Sequence, residues 1–278
     1  MKIRLLMVVG ALVLPQLAWA AYSDGLAAYQ AHDYRGAFDA WQQAAAQGDS
    51  AAQASLAIMY YRGDGVPQDD TQAAYWMRKA ADQGGAAAQV FLGSMYFDGR
   101  GVPKDDMQAV IWFRKAAGQD DARAQDLLGT MYYRGGVGVQ RDPAIAAAWF
   151  KQAAQSGYAA SQYNLAVCYD DGAGVEHDPA QALTWLRRAA AQAYAPALLA
   201  LAQRYQAGQG GAGKNPALAY LYLEVALRYA TDPDASNTTA IAGRIAQLHA
   251  TLEAQLNQTE LRLAHERAVN WSLGQPLP

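Results

Sequence analysis

The sequence predicts an all-α protein, a solenoid of stacked helix–loop–helix repeats, and three observations carry that prediction. Its residues recur at a fixed step: 36 positions back from Leu92, Tyr96, Gly99, Gly101, Val102, Trp112 and Ala116 stand Leu56, Tyr60, Gly63, Gly65, Val66, Trp76 and Ala80. Each recurrence reads as an apolar run with helical spacing, a glycine loop and a second apolar run. The composition is rich in alanine and glycine, 52% hydrophobic by a broad count and poor in β-branched residues, and so leans helical. Such a repeat explains architecture, and its scaffold residues do not name a ligand.

Residues 1–20 stand apart. Lys2 and Arg4 precede an apolar run from Leu5 to Leu14, then come Pro15 and the small-x-small sequence Ala18-Trp19-Ala20. This pattern predicts a secretory signal peptide cut after Ala20, and its apolar core is too short for the roughly twenty helical residues that cross a bilayer. No cysteine follows the small residues, so a lipoprotein anchor is not expected and the mature chain should be soluble and periplasmic. Loss of Lys2 and Arg4 leaves 20 basic against 25 acidic residues, scattered along the chain, which excludes the basic stripe of a nucleic-acid binder. With Cys168 as its single cysteine, the exported chain must hold together by packing rather than by disulfides.

Residues 21–48 read as an N-terminal capping hairpin of tetratricopeptide type. Tyr22, Leu26 and Tyr29 form one apolar face, a turn follows at His32 and Asp33, and Tyr34, Ala37, Phe38, Trp41 and Ala45 form the other. Residues 49–232 hold five repeats, the fifth degenerate. Leucine recurs at 56, 92, 128, 165 and 201, tyrosine at 60, 96, 132, 169 and 205, and tryptophan at 76, 112, 149 and 185, with Tyr222 in the fifth place. Single insertions occur only in the loops of repeats three and five, because a residue added inside a helix would rotate every later side chain by about 100°.

In each first helix the anchor leucine and tyrosine share a face. The residue after the leucine is small (Ala57, Gly93, Gly129, Ala166, Ala202), which lets a neighbouring helix approach. The loops carry Gly63 and Gly65, Gly99 and Gly101, Gly136 and Gly138, and Gly172 and Gly174. Asp69, Asp105, Asp142, Asp178 and Asn215 are placed to cap the second helices, and in three of them Pro143, Pro179 and Pro216 follow, where a missing N–H costs nothing. The second helix should bury its alanines and tryptophan, as with Ala109, Trp112, Ala116 and Ala117. Residues 233–278 lose the period and read as C-terminal capping helices. One carries the stripe Ile241, Ile245, Leu248, Leu252, Leu256, and the other starts at a capping box of Asn257 and Glu260 and runs through Leu261, Leu263, Ala264 and Ala268 to Trp271.

These residues carry a family resemblance. The unit A-x-x-x-L-G-x-x-Y-x-x-G-x-G-V followed by A-x-x-W-x-x-K-A-A-x-x-G resembles the Sel1-like repeat, closely at residues 92–117 and 128–157. The resemblance implies a right-handed α-solenoid and a role in protein contacts. It further implies that an exported bacterial member acts as an adaptor, as an inhibitor of an envelope protein or as an immunity protein for a secreted toxin.

Chemistry-bearing residues are few. His32, His177, His249 and His265 do not fall at metal-ligand spacing, and neither an HExxH nor a paired-cysteine motif is present, so metals and cofactors are not expected. His249 and Glu253 are four apart on one helix and read as a solvated pair, while Glu176-His177-Asp178 occupies a loop-and-cap position. Cys168 takes the slot of Met59, Met95 and Met131, which predicts a buried inert thiol. The acidic loops lack the ligand pattern of an EF-hand. An enzyme is therefore not expected.

The functional lead lies opposite the anchor leucine, where residues vary over a constant scaffold. Ile58 and Tyr61, Ser94 and Phe97, Thr130 and Tyr133, and Val167 and Asp170 are the candidate partner-binding residues, with Gln203 and Gln206 in the fifth place. Tyr61, Phe97 and Tyr133 would form an aromatic ladder on the inner wall, or else pack onto the adjacent hairpin. A periplasmic protein-interaction module is the expectation, an immunity protein being one form of it. An envelope or peptidoglycan-directed hydrolase relying on His249 or His265, and structural support of an export complex, are the alternatives.

Overall fold

The computed structural model describes residues 21–229 and 235–276. The expected signal peptide at 1–20 and the break at Asp232-Pro233 lie outside the described residues. Among those residues the protein is helical, with no strand and one isolated bridge between Gly136 and Val139. Helix α1 covers residues 21–30. There follow α2 (Tyr34–Ala46), α3 (Ser50–Arg62), α4 (Asp70–Asp82), α5 (Ala86–Asp98), α6 (Asp106–Ala117) and α7 (Ala122–Arg134). Then come α8 (Pro143–Gln155), α9 (Ala159–Asp171), α10 (Pro179–Ala190), α11 (Ala195–Ala207), α12 (Pro216–Tyr229), α13 (Ala235–Glu253) and α14 (Gln258–Asn270). Two compact units result. The first holds the described residues up to Ala124 with Gly136–Gln140, and the second holds Gln125–Gly135 and the described residues from Arg141 onward.

The expected caps form. Asp69 accepts from the backbone N–H groups of Thr71 and Gln72, Asp105 from Gln108, Asp142 from Ala144 and Ile145, Asp178 from Ala180 and Gln181, and Asn215 from Leu218. Each cap residue also ties the repeat shut, its own N–H donating to the carbonyl of the anchor tyrosine: Asp69 to Tyr60, Asp105 to Tyr96, Asp142 to Tyr132, Asp178 to Tyr169 and Asn215 to Tyr205. A carbonyl that the end of the first helix would leave unpaired is satisfied in this way. Asn257 and Glu260 make the expected capping box of α14.

Left-handed glycines end the first helices: Gly63, Gly99, Gly172 and Gly208 as C-caps, and Gly135 with φ 74° after α7. The third loop therefore departs from expectation. Gly135 rather than Gly136 takes the cap, and the inserted residue is absorbed by a tight reversal in which Gly136 and Val139 exchange backbone hydrogen bonds.

The anchor leucines are fully buried in all five repeats. In the second helices the residue after the tryptophan slot is buried in all five repeats: Met77, Phe113, Phe150, Leu186 and Leu223. Trp112 and Trp185 are buried as expected, but Trp76 and Trp149 are only half-buried. The small residue after each anchor leucine is sized to this partner. A Cβ on Gly93 would lie 2.6 Å from the Phe113 ring, and one on Gly129 2.5 Å from the Phe150 ring. Repeats one and four pair alanine (Ala57, Ala166) with the smaller Met77 and Leu186. In the N-terminal hairpin, Gly25 rather than Leu26 lies under Trp41, whose ring sits 6.3 Å from Tyr22 and 5.5 Å from Tyr29, while Leu26 turns outward. In α14, Leu263 is likewise exposed while Ala264 and Ala268 are buried.

The first helices of repeats one to four each bury a glutamine near their start, and in repeats one, two and four it bridges helices. Gln53 donates to the Ala45 carbonyl at 3.1 Å and accepts from Gln83 at 2.8 Å. Gln89 repeats this with Ala81 and Gln119, and Gln162 with Ala154 and Gln192. Repeat three breaks the series, because Ser156 stands where the others have Gln83, Gln119 and Gln192. The fully buried Gln125 amide has no hydrogen-bond partner at either its nitrogen or its oxygen.

Candidate functional site

The candidate residues divide between the two units. In the first, Ile58 and Tyr61 on α3 are half-buried and pack against a core that includes Met77 and Ala88. Tyr61 meets Phe91 edge-on at 4.9 Å, and the Arg100 guanidinium lies 3.6 Å from its ring centroid. Arg100 is held there by donating from Nε to Asp70 at 2.8 Å and from Nη2 to the Tyr61 carbonyl at 3.3 Å. The hydrogen bond from Arg100 keeps the Asp70 carboxyl below its ordinary range. Ser94 on α5 turns its hydroxyl back to the Val90 carbonyl at 3.0 Å. Phe97 is 41% exposed, with the Lys104 ammonium 5.4 Å from its ring. Tyr61 is therefore enclosed by its neighbours, and Phe97 is the open aromatic of this pair.

In the second unit, Thr130 and Tyr133 on α7 are half-buried. The Tyr133 hydroxyl donates to Asp171 at 3.1 Å, Arg141 lies over its ring at 5.8 Å, and burial pushes the phenol pKa up. Val167 and Asp170 on α9 help to line a cleft of about 230 Å³, together with Tyr163, Leu186, Ala200, Gln203, Arg204 and Gln209. Arg204 on α11 pairs with Asp170 and donates to the Gly210 carbonyl at 3.0 Å. Burial raises the Asp170 carboxyl above its ordinary range, and the Arg204 charge eases that shift. Burial also raises the Tyr163 phenol, the nearby charge of Arg244 on α13 working against it.

The cleft brings together one apolar wall, one aromatic ring, an ion pair and two amides, which suits recognition of a side chain. Val167 and Asp170 were legible as candidates, and Gln203 as their counterpart in repeat five. Tyr163, Leu186, Ala200, Arg204 and Gln209 were not. A usable signal was present: from the second repeat on, the residue before the anchor leucine runs Phe91, Leu127, Asn164, Ala200, so the slot is smallest in the fifth.

The histidines form a second cluster. Glu224 on α12 accepts from His249 Nε2 at 2.6 Å and from His265 Nδ1 at 2.8 Å, while Tyr220 stacks on the His249 ring at 4.5 Å. Burial pushes the Glu224 carboxyl up, but the two histidines more than offset this and hold it below its ordinary range. Burial pushes the Tyr220 phenol up to about 12. His249 is thus not the solvated partner of Glu253, which stands 3.9 Å from its other nitrogen. Its main partner lies on another helix, out of reach of any local spacing rule. Cys168 is fully buried, and burial followed by the charge of Asp171 pushes its thiol up to about 11.

Comparison with known proteins follows the same repeats. The family model described as Sel1 repeat matches residues 50–85, 86–121, 122–158, 159–194 and 195–228. Among solved structures, the chain is similar to a Sel1 repeat protein from Oxalobacter formigenes, with 34% identity over 71% of this chain and 78% of that one and a TM-score of 0.65. It shares a fold with c5321, a protective antigen present in uropathogenic Escherichia coli strains, at 24% identity over 92% of this chain and 62% of that one, with a TM-score of 0.53. An immunity protein from Pseudomonas aeruginosa, at 19% identity over 84% of this chain and 83% of that one with a TM-score of 0.43, is too distant to inform function. No curated relative matches the chain in sequence.

Proposed function

We propose, from the premise that this chain belongs to the Sel1 repeat family, that it is a periplasmic protein-interaction module whose partner engages the variable face of the first helices. The observation that carries this reading is the division of labour within each repeat. Leucines, glycines and caps are committed to packing, while Phe97 in the first unit and the cleft at Val167 and Asp170 in the second stand open beside them. Ile58, Tyr61, Thr130 and Tyr133 are half-buried on the same face, and Ser94 turns its hydroxyl back into its own helix. Rigid aromatics and a shaped pocket are what binding hot spots are built from. The periplasmic part of the proposal rests on residues 1–20.

The test has two arms. Cell fractionation should find the mature chain in the periplasm, starting at Ala21. In vivo cross-linking should then capture a defined protein partner, and Phe97→Ala should weaken that capture while leaving the helical signal unchanged. A cytoplasmic chain that retains residues 1–20, or capture indifferent to Phe97→Ala and to changes at Val167, would refute it. If the partner is a secreted toxin, adding the purified chain should suppress its activity at equimolar ratio, which separates an immunity role from an adaptor role.

A further inference from the structure

Between α9 and α11 the chain leaves empty a space that is filled where its first and second repeats meet. In repeat one Tyr61 lies edge-on against Phe91 at 4.9 Å with the Arg100 guanidinium on its face at 3.6 Å. The slot of Tyr61 holds Asp170 in repeat four, and the slot of Phe91 holds Ala200 in repeat five. Two rings have become a carboxylate and a methyl group, and the cleft of about 230 Å³ stands in their place.

Its walls suit the group that is missing. Val167, Leu186 and Ala200 supply an apolar floor, and the Tyr163 ring offers an edge or face for aromatic contact. The Arg204 guanidinium, steadied by Asp170 and the Gly210 carbonyl, can lie against an incoming ring as Arg100 does on Tyr61. Among the described residues, the Tyr163 hydroxyl and the side-chain amides of Gln203 and Gln209 make no hydrogen bond within the chain, so they are available to a phenol. The size also fits, since a cavity of about 150 Å³ already accepts benzene. We propose that this cleft receives one tyrosine side chain of the protein partner. The proposal rests on the protein-interaction reading above, and the two fail separately.

The experiment uses the full mature chain with p-cresol as the side-chain probe, followed by NMR of labelled alanine, valine and leucine methyl groups. The expected result is saturable shifts at Val167, Leu186 and Ala200 with a Kd on the order of 1 mM. Ala200→Phe installs the ring of Phe91 and Asp170→Tyr that of Tyr61, and each should weaken binding by about tenfold or more. Circular dichroism checks folding, and Asp170→Tyr, at the rim, carries the comparison if Ala200→Phe is misfolded. Absence of saturable shifts, or unchanged p-cresol affinity in a folded variant, overturns the proposal. So does a response of these methyls to N-acetylglucosamine or butylamine where p-cresol gives none. If a cross-linked partner is captured equally by wild type and Asp170→Tyr, the tyrosine subsite is wrong while the interaction module stands. If p-cresol binds as expected and no partner is ever captured, the interaction module is wrong while the cleft's preference stands.

Discussion

Gln125 gives the sharpest test of how the stack is held together. Its side-chain amide is fully buried with both polar atoms unpaired, whereas Gln162, its counterpart one repeat later, donates to Ala154 at 3.2 Å and accepts from Gln192 at 2.9 Å. A buried polar group without a partner costs about 1–3 kcal/mol, and an apolar group of similar shape removes that cost. Gln125→Met should therefore stabilise the protein by about 1–2 kcal/mol. Gln162→Met discards two made hydrogen bonds and should destabilise by about 1–3 kcal/mol. Chemically identical substitutions at equivalent positions thus move in opposite directions. Urea denaturation followed at 222 nm reads both, and thermal melts should differ by several degrees, at about 2–4 °C per kcal/mol for a chain of this size. Ser156→Gln replaces the residue missing from the series and should stabilise the wild-type background but not the Gln125→Met background, a coupling that a double-mutant cycle isolates. If Gln125→Met is as costly as Gln162→Met, the reasoning fails.

Gly129→Ala forces a methyl to within 2.5 Å of the Phe150 ring and should cost about 1–3 kcal/mol, and Phe150→Leu should recover most of the loss, as the Ala166 and Leu186 pair does naturally. Glu224 has a folded pKa below its ordinary 4.5, so the stability it contributes is complete above that value and is lost as pH falls through the folded pKa. Glu224→Gln should lower stability near neutrality and flatten the acid limb of the pH–stability curve below about pH 4.5; an unchanged limb would remove Glu224 from the account. Cys168, buried with its thiol at about 11, should resist iodoacetamide in the native protein and react at once in denaturant, and rapid native labelling would contradict its burial.

The repeat, the caps and the anchor leucines were legible because each is a local rule repeated along the chain. A capping aspartate reaches two or three residues onward, and leucine and tyrosine four apart must share a helix face. Misreadings occurred where two local choices were equivalent until packing chose between them. Leu26 and Gly25 are adjacent on α1, and only the Trp41 ring lying over Gly25 turns Leu26 outward. Gly135 and Gly136 are both glycines after α7, and only the Gly136–Val139 reversal decides which one caps. The matching of Gly93 with Phe113 and of Gly129 with Phe150 was written in the sequence, but as a correlation between helices rather than along one.

By itself, then, the sequence determined the period, the helix limits, the caps and the residues left free of scaffold duty, because hydrogen bonding at helix ends and the helical step act over a few residues. Only the tertiary structure decided which of those free residues are enclosed and which are open. Tyr61 is covered by Phe91 and Arg100 from the next repeat, Glu224 gathers two histidines from two other helices, and Asp170 faces a cleft because Ala200, thirty positions on, is too small to fill it. Enclosure depends on the volume that other helices bring to a side chain, and that volume is set by packing at a distance in sequence that no local rule spans.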